Sequence, residues 1–244
     1  MWIKQIIKAI LGDEMLGWLD YYRSPELTKT WGGPFNGQVK RQAIILELLQ
    51  SLWFDMVVET GAFRGTTTEF LSSHLNGPVL TVENNARFYG YVRARFRRNR
   101  NISVTNSDSR AFLSNLAQTG RLEGKRSLFY LDAHWGADLP LFEELDIVFS
   151  NCHAAVAVID DFQVPDDKEY GYDDYGDGKS LTPGYVAPLV HRFQLAQFFP
   201  ASPASEETGR QRGCVVLAKD AEMIRRIESM PCLRRIDPVL SAAQ

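Results

Sequence analysis

Two clusters in this 244-residue chain hold residue types that can do chemistry. One is Leu131-Asp132-Ala133-His134-Trp135 taken with Val158-Ile159-Asp160-Asp161-Phe162, two apolar runs that each end in carboxylates. If both runs are neighbouring strands, Asp132, Asp160 and Asp161 meet at one edge of a pocket and offer three oxygen ligands to a hard divalent cation such as magnesium, which keeps waters for a substrate to displace. Such a cation lowers the pKa of a bound hydroxyl and orients it, and His134 is a group near neutrality that can take the proton. Plain structural roles remain open. His134 can cap the next helix or pack on Trp135, Asp161 can be an N-cap, and the acids can repel one another without any metal, raising one pKa.

The other cluster is Val57-Val58-Glu59-Thr60-Gly61-Ala62-Phe63-Arg64-Gly65-Thr66-Thr67-Thr68. An apolar run that breaks into glycines and then hydroxyl residues reads as a buried strand, a tight turn and a helix start, the arrangement with which an open α/β sheet holds a nucleotide-like ligand. A dinucleotide fingerprint is G-x-G-x-x-G, whose middle glycine admits a pyrophosphate. Here the glycines fall at Gly61 and Gly65 with none between, and Glu59 precedes the turn. A carboxylate suits a cationic ligand better than a pyrophosphate, and S-adenosylmethionine is such a ligand.

The elements needed to position these residues follow along the chain. After the glycine loop the sequence predicts a helix over 66–74 and a strand over 78–82 ending on Glu83. An acid at that tip, ~20 residues past the loop, is placed to accept both ribose hydroxyls. A helix over 86–98, a strand over 102–105, Asp108 at its end facing an adenine amino group, a helix over 110–118 and a strand over 127–131 complete the first half. Beyond Phe162 come a helix over 186–196, a strand over 197–199, a polar loop over 201–212, a strand over 214–218 and a helix over 221–229. Capping accounts for any one strand-end acid. The ordered series Glu59, Gly61, Gly65, Glu83, Asp108, Asp132 is harder to obtain from capping alone.

That series resembles the class I S-adenosylmethionine-dependent methyltransferases, and within them a set of O-methyltransferases, over about residues 55–162 and more loosely to the C-terminal end. The resemblance implies a Rossmann-like, doubly wound, mostly parallel seven-stranded sheet with an antiparallel C-terminal hairpin. It implies that Glu59, Gly61 and Gly65 line the methionine moiety, with Ala62, Phe63 and Thr66 beside them, that Glu83 and Asn84 hold the ribose, that Asp108 and Ser109 hold the adenine, and that Asp132 closes the cofactor site. The spacing from Asp132 to Asp160 resembles the catechol-type metal-dependent enzymes. Asp161, however, stands where that family has an amide, and Trp135 where it has a lysine. Asp-x-His followed by an Asp-Asp pair is also similar to the metal-dependent sugar and macrolide O-methyltransferases. His134 and Asp132 are therefore the expected catalytic residues.

The remaining sequence sets the frame. A formal charge of −3, 45% apolar residues and no apolar run long enough to span a bilayer fit a single α/β domain over 1–244, with a lead-in over 1–54, a cofactor core over 55–162, an acceptor loop over 163–184 and a closing unit over 185–244. The start, 1–11, reads as an amphipathic helix without a cleavage site, not a signal peptide. Cys152, Cys214 and Cys232 are few and odd in number, as expected of buried residues in the reducing cytoplasm. The basic run 93–100 falls at a helix C-terminus in a slightly acidic chain, so no nucleic acid is expected as a partner. A second predicted helix spans 37–52. The aromatic turn 28–36 is either a lid over the cofactor or a packed surface loop. The acidic, tyrosine-rich stretch 163–184 suits recognition of a small polyol or sugar acceptor, or a solvated flap. Two alternatives stay open: an NAD(P)-dependent oxidoreductase, and a non-catalytic partner protein on the same fold. A homo-oligomer is compatible with the sequence.

Overall fold

The computed structural model describes residues 2–134 and 138–236, so a stacking of His134 on Trp135 lies outside the described residues. Among the described residues eight strands form one sheet: β1 (Met56–Thr60), β2 (Val79–Glu83), β3 (Ile102–Asn106), β4 (Arg126–Leu131), β5 (Ala154–Ile159), β6 (Ala196–Pro200), β7 (Val215–Ala218) and β8 (Leu233–Arg235). Their order is β3-β2-β1-β4-β5-β7-β6-β8, parallel from β3 to β5 and antiparallel beyond. The expected Rossmann-like sheet and antiparallel hairpin are present. The expected count of seven strands is corrected to eight, because three residues after the last helix pair with β6. Leu233 alone of the three is buried, so β8 carried almost no hydrophobic signal.

Helices cover both faces: α1 (Trp2–Arg23), α2 (Val39–Ser51), α3 (Thr66–His74), α4 (Ala86–Phe96), α5 (Ser109–Gln118), α6 (Leu141–Asn151), α7 (Pro183–Phe193) and α8 (Ala221–Glu228). Strand residues alternate between two cores. Met56, Val58, Phe129 and Leu131 pack with α5, α6 and α7, whereas Val57, Leu128 and Tyr130 pack with α2, α3, α4 and α8. Starts are set by local chemistry: Asn85 caps α4 through Arg87 N at 2.9 Å, Asp108 caps α5 through Arg110 N at 2.9 Å, and Pro183 opens α7 after the cap Thr182.

The predicted N-terminal helix is longer than its apolar signal, running to Arg23 with a break at Gly12 (φ 71°). It crosses α4 at two glycines. A Cβ on Gly17 would lie 1.8 Å from Arg87 O, and one on Gly90 would lie 1.9 Å from Glu14 O. The basic run is partly consumed here, since Arg93 meets Glu14 at 2.5 Å and Arg95 meets Glu69 at 2.7 Å. No helix among the described residues is long and apolar enough to cross a membrane.

The sheet reverses its winding between β1 and β4, and ligands of open α/β sheets bind at the carboxyl ends beside such a switch point. The register pairs Thr60 with Leu131 and Leu131 with Ile159, so Asp132 and Asp160 emerge together at that edge.

Candidate active site

A cavity of about 960 Å³ opens there, lined by the glycine turn, the tips of β2 to β5, Trp31, Phe35 and Asn36, and Asp173, Tyr175, Arg210 and Arg212. The turn is shaped by backbone. Gly61 (φ 84°) and Ala62 both donate to Val82 O at 3.0 Å, and a Cβ on Gly61 would meet Asp132 O at 2.2 Å, so glycine is required where β1 and β4 part. Phe63, at φ 47°, donates its N–H to Glu83 Oε2 at 2.7 Å, and Asn85 N donates to Oε1 at 2.8 Å. These two bonds fix the Glu83 carboxylate at the cavity wall with lone pairs to spare. Burial raises its pKa while the backbone donors oppose the rise.

Of the residues expected to hold a cofactor, Gly61, Ala62, Phe63, Thr66, Glu83, Asn84, Asp108, Ser109 and Asp132 line this cavity. Asp108 does so while capping α5 and pairing with Arg110 at 2.7 Å, which holds its pKa below the usual range. Two expected residues are not on the lining. Gly65, at φ 75°, faces the Phe96 ring, where a Cβ would stand 2.5 Å from the ring edge. Glu59 lies beneath the turn, 1% exposed, accepting from Thr68 at 2.5 Å and Thr81 at 2.6 Å. Burial without a cationic partner pushes its pKa up to about 7.

Residues 28–36 pack over the turn, and Trp31, Phe35 and Asn36 also line the cavity. Arg64 donates to Thr30 at 2.8 Å, Phe35 N to Thr67 at 3.2 Å, and Trp31 stands 5.6 Å from the Phe63 ring.

At the opposite end the acids separate into different roles. Asp160 is 1% exposed and fully engaged: Arg41 donates to Oδ1, Tyr130 to Oδ2 at 2.5 Å, and Asp161 N to Oδ1 at 2.9 Å. Burial would raise its pKa, but Arg41 and Tyr130 hold it below the usual range. Asp161, at φ 51°, is paired with Arg212 at 2.9 Å, and it is not an N-cap, since the next helix after it is α7. Burial and the charge of Asp160 push it up to about 6. His134 is 2% exposed, and neither ring nitrogen has a hydrogen-bond partner; burial pulls its pKa down to about 4, leaving a neutral imidazole. Its Nε2 lies 3.8 Å from Asp132 Oδ1. The three acids expected as metal ligands therefore do not present themselves as a set. The donor atoms that come together, within 4.8 Å of one another, belong to Asp132, His134 and Asp161.

Sequence reasoning missed Arg41, Tyr130, Arg210 and Arg212. Arg41 did leave a signal: it occupies the first place of an apolar i, i+3, i+4, i+7 face with Ile44, Ile45 and Leu48, where a charge must be paired. Arg212 left none, since it lies in a polar loop and reaches Asp161 and Asp173 only through the fold. Of the loop tyrosines, Tyr175 lines the cavity and donates to His134 O at 2.8 Å, whereas Tyr170 is buried against Ser202 O.

The fold is one shared with solved methyltransferase structures. No family description and no curated protein matches the chain. Solved structures that share its fold include three methyltransferases. An O-methyltransferase from Bacillus cereus in complex with SAH superposes with a TM-score of 0.56 at 14% identity, covering 90% of this chain and 98% of that one. The SAH-bound Podospora anserina methyltransferase PaMTH1 gives 0.55 at 11% identity over 90% and 96%. The O-methyltransferase TomG of Streptomyces achromogenes, involved in tomaymycin synthesis and solved with SAM, gives 0.52 at 16% over 74% and 80%.

Proposed function

We propose that this protein is an S-adenosylmethionine-dependent methyltransferase that methylates a hydroxyl of a small, polyhydroxylated acceptor. The observation that carries this reading is the pairing, across one cavity, of a backbone-held Glu83 beside a glycine turn with a buried neutral His134 next to Asp132. Glu83 and Asn84 would take the ribose, Asp108 and Ser109 the adenine, and the turn from Gly61 to Thr66 the methionine part. Glu59 would act indirectly, by fixing Thr68 and Thr81 beneath the turn.

The reaction is an in-line displacement in which the sulfonium–methyl bond breaks, the oxygen–methyl bond forms and the acceptor proton leaves. The unpartnered Nε2 of His134 is free to take that proton, and Asp132, whose carboxyl is pushed well above the usual range by burial and by the charges of Asp160 and Asp161, has its Oδ1 3.8 Å away to accept a bond from the ring. Holding both substrates in the cavity supplies the larger share, ~7–11 kcal/mol where alignment is good. Residues 173–175 form the wall against which the acceptor would rest.

One observation favours a second reading. Asp132, His134 and Asp161 have converging donor atoms, and the unpartnered His134 nitrogens suit a divalent cation there. Bound, such a cation would acidify the hydroxyl, and His134 would be its ligand and not the base. Asp160, committed to Arg41, takes no part.

Calorimetric titration with S-adenosylhomocysteine, repeated with magnesium, with manganese and with chelator, tests both. Micromolar binding unaffected by chelator supports the metal-free reading. Heat that depends on a cation and disappears in His134→Ala supports the second. Binding of NAD and not S-adenosylhomocysteine would sink the methyltransferase reading.

A further inference from the structure

We infer that Arg210 is an anion-binding residue of the acceptor wall, and that the acceptor carries a carboxylate or phosphate besides its hydroxyl. This rests on the methyltransferase reading and adds the charge class of the substrate to it.

The cavity is acidic along most of its length, with Glu83, Asp108, Asp132, Asp161 and Asp173 on its walls. The cations near it are mostly spent. Arg41 is held by Asp160, and Arg212 by Asp161 and Asp173. Arg210 also lines the cavity, yet among the described residues it has no carboxylate partner; its guanidinium carbon lies over Trp31, 4.6 Å from the ring centroid. Stacking on an aromatic face leaves the edge of the guanidinium, with its N–H fork, turned to a ligand.

Arg210 is not a loose surface side chain, because the loop that bears it is welded to the start of α2. Glu207 accepts from Lys40 N at 2.9 Å and Arg41 N at 3.0 Å, satisfying two orphan donors of that helix. Thr208 donates to Gly37 O at 2.7 Å, and Gln38 Nε2 donates to Arg212 O at 2.8 Å. Gly209, at φ 64°, packs so closely that a Cβ would stand 2.2 Å from Asn36 O. The loop backbone is thus pre-organised, with Arg210 against Trp31 on a cavity wall that also carries Asp161, Asp173 and Arg212. An exposed planar donor without a carboxylate partner, carried on a pinned loop and lying over Trp31 at an acid-lined cavity, matches an oxyanion presented by the ligand.

The test titrates protein saturated with S-adenosylhomocysteine with a hexuronate, a hexose phosphate and the neutral hexose. The two anions should bind at least about tenfold more tightly than the neutral sugar, as a charge-assisted pair implies. Arg210→Gln should reduce them to the neutral level, while Arg210→Lys keeps part of the preference. Equal affinity for all three, binding by none, or undiminished anion binding in Arg210→Gln overturns the inference. A parallel arm compares S-adenosylhomocysteine with methylthioadenosine, which lacks the amino-acid carboxylate. If Arg210→Gln weakens the former and spares the latter, Arg210 serves the cofactor and the acceptor assignment fails, although the methyltransferase reading stands. If the wild type binds no S-adenosylhomocysteine, that reading fails first and the inference falls with it.

Discussion

On the β1–β3 side of the cavity the polar groups are held by main chain: Glu83 by two backbone N–H groups, the glycine turn by Val82 O, and Asp108 by the first turn of α5. On the β4–β5 side they are held by other charges, with Arg41, Asp160 and Tyr130 in one buried cluster and Arg212, Asp161 and Asp173 in the next. Backbone-held groups are set as soon as the turn forms, and each is nearly independent of the others. Charge-held groups are mutually dependent, so removal of one leaves the rest buried and uncompensated. One wall is suited to an invariant ligand, the other to tuning.

The sharpest separation of the two walls is expected from His134→Ala. It should lower kcat for methyl transfer by about 10²–10⁴-fold, the range of a lost general base, and leave S-adenosylhomocysteine affinity unchanged in titration. Weakened cofactor binding in that variant would mean that the walls are not independent.

Next in size is Arg41→Ala, which strands Asp160 and should cost about 3–5 kcal/mol in urea unfolding. Arg41→Met combined with Asp160→Asn should recover much of that loss. A cost under about 1 kcal/mol for Arg41→Ala alone would show that the cluster is solvated after all.

Glu59→Gln probes the other wall. The folded protein holds the Glu59 proton up to about 7 against a reference of 4.5, so between those pH values the unfolded chain loses its proton first. Stability from this group is therefore full below the lower value, falls as pH rises, and levels off above the higher, a swing of about 3 kcal/mol at most. Glutamine cannot ionise, so the variant should flatten this share of the decline, measured as chemical denaturation at several pH values. An unchanged slope would refute an uncompensated Glu59 carboxyl.

The smallest effect is expected from Glu83→Gln. An amide must turn its NH₂ toward Phe63 N or Asn85 N, so S-adenosylhomocysteine affinity should drop about tenfold, in keeping with loss of one charge-assisted bond. No change would remove Glu83 from the ligand contacts.

The same contrast governs what the sequence disclosed. The β1–β3 wall is built from residues a few positions apart at strand tips, where hydrophobic runs and glycine spacing locate each residue, and α3 spans the predicted 66–74. That Glu59 lies off the lining was illegible, because a strand-end acid reads the same whether it faces a cavity or two buried threonines. The β4–β5 wall joins positions as distant as Arg41 and Asp160 or Arg212 and Asp161, and pairing across such separations leaves no local period. Asp160 therefore looked like a free ligand beside Asp161, though its oxygens were already taken.

The crossing of α1 over α4 has a consequence for genetics. At Gly17 and at Gly90 the atom in the way of any side chain is a main-chain carbonyl on the facing helix, and each glycine guards the other helix's backbone. A clash with a bulky side chain can be relieved by trimming that side chain, but a carbonyl cannot be trimmed. Lesions at either glycine should thus yield no intragenic suppressors at the facing positions, and a screen for them would return revertants to glycine.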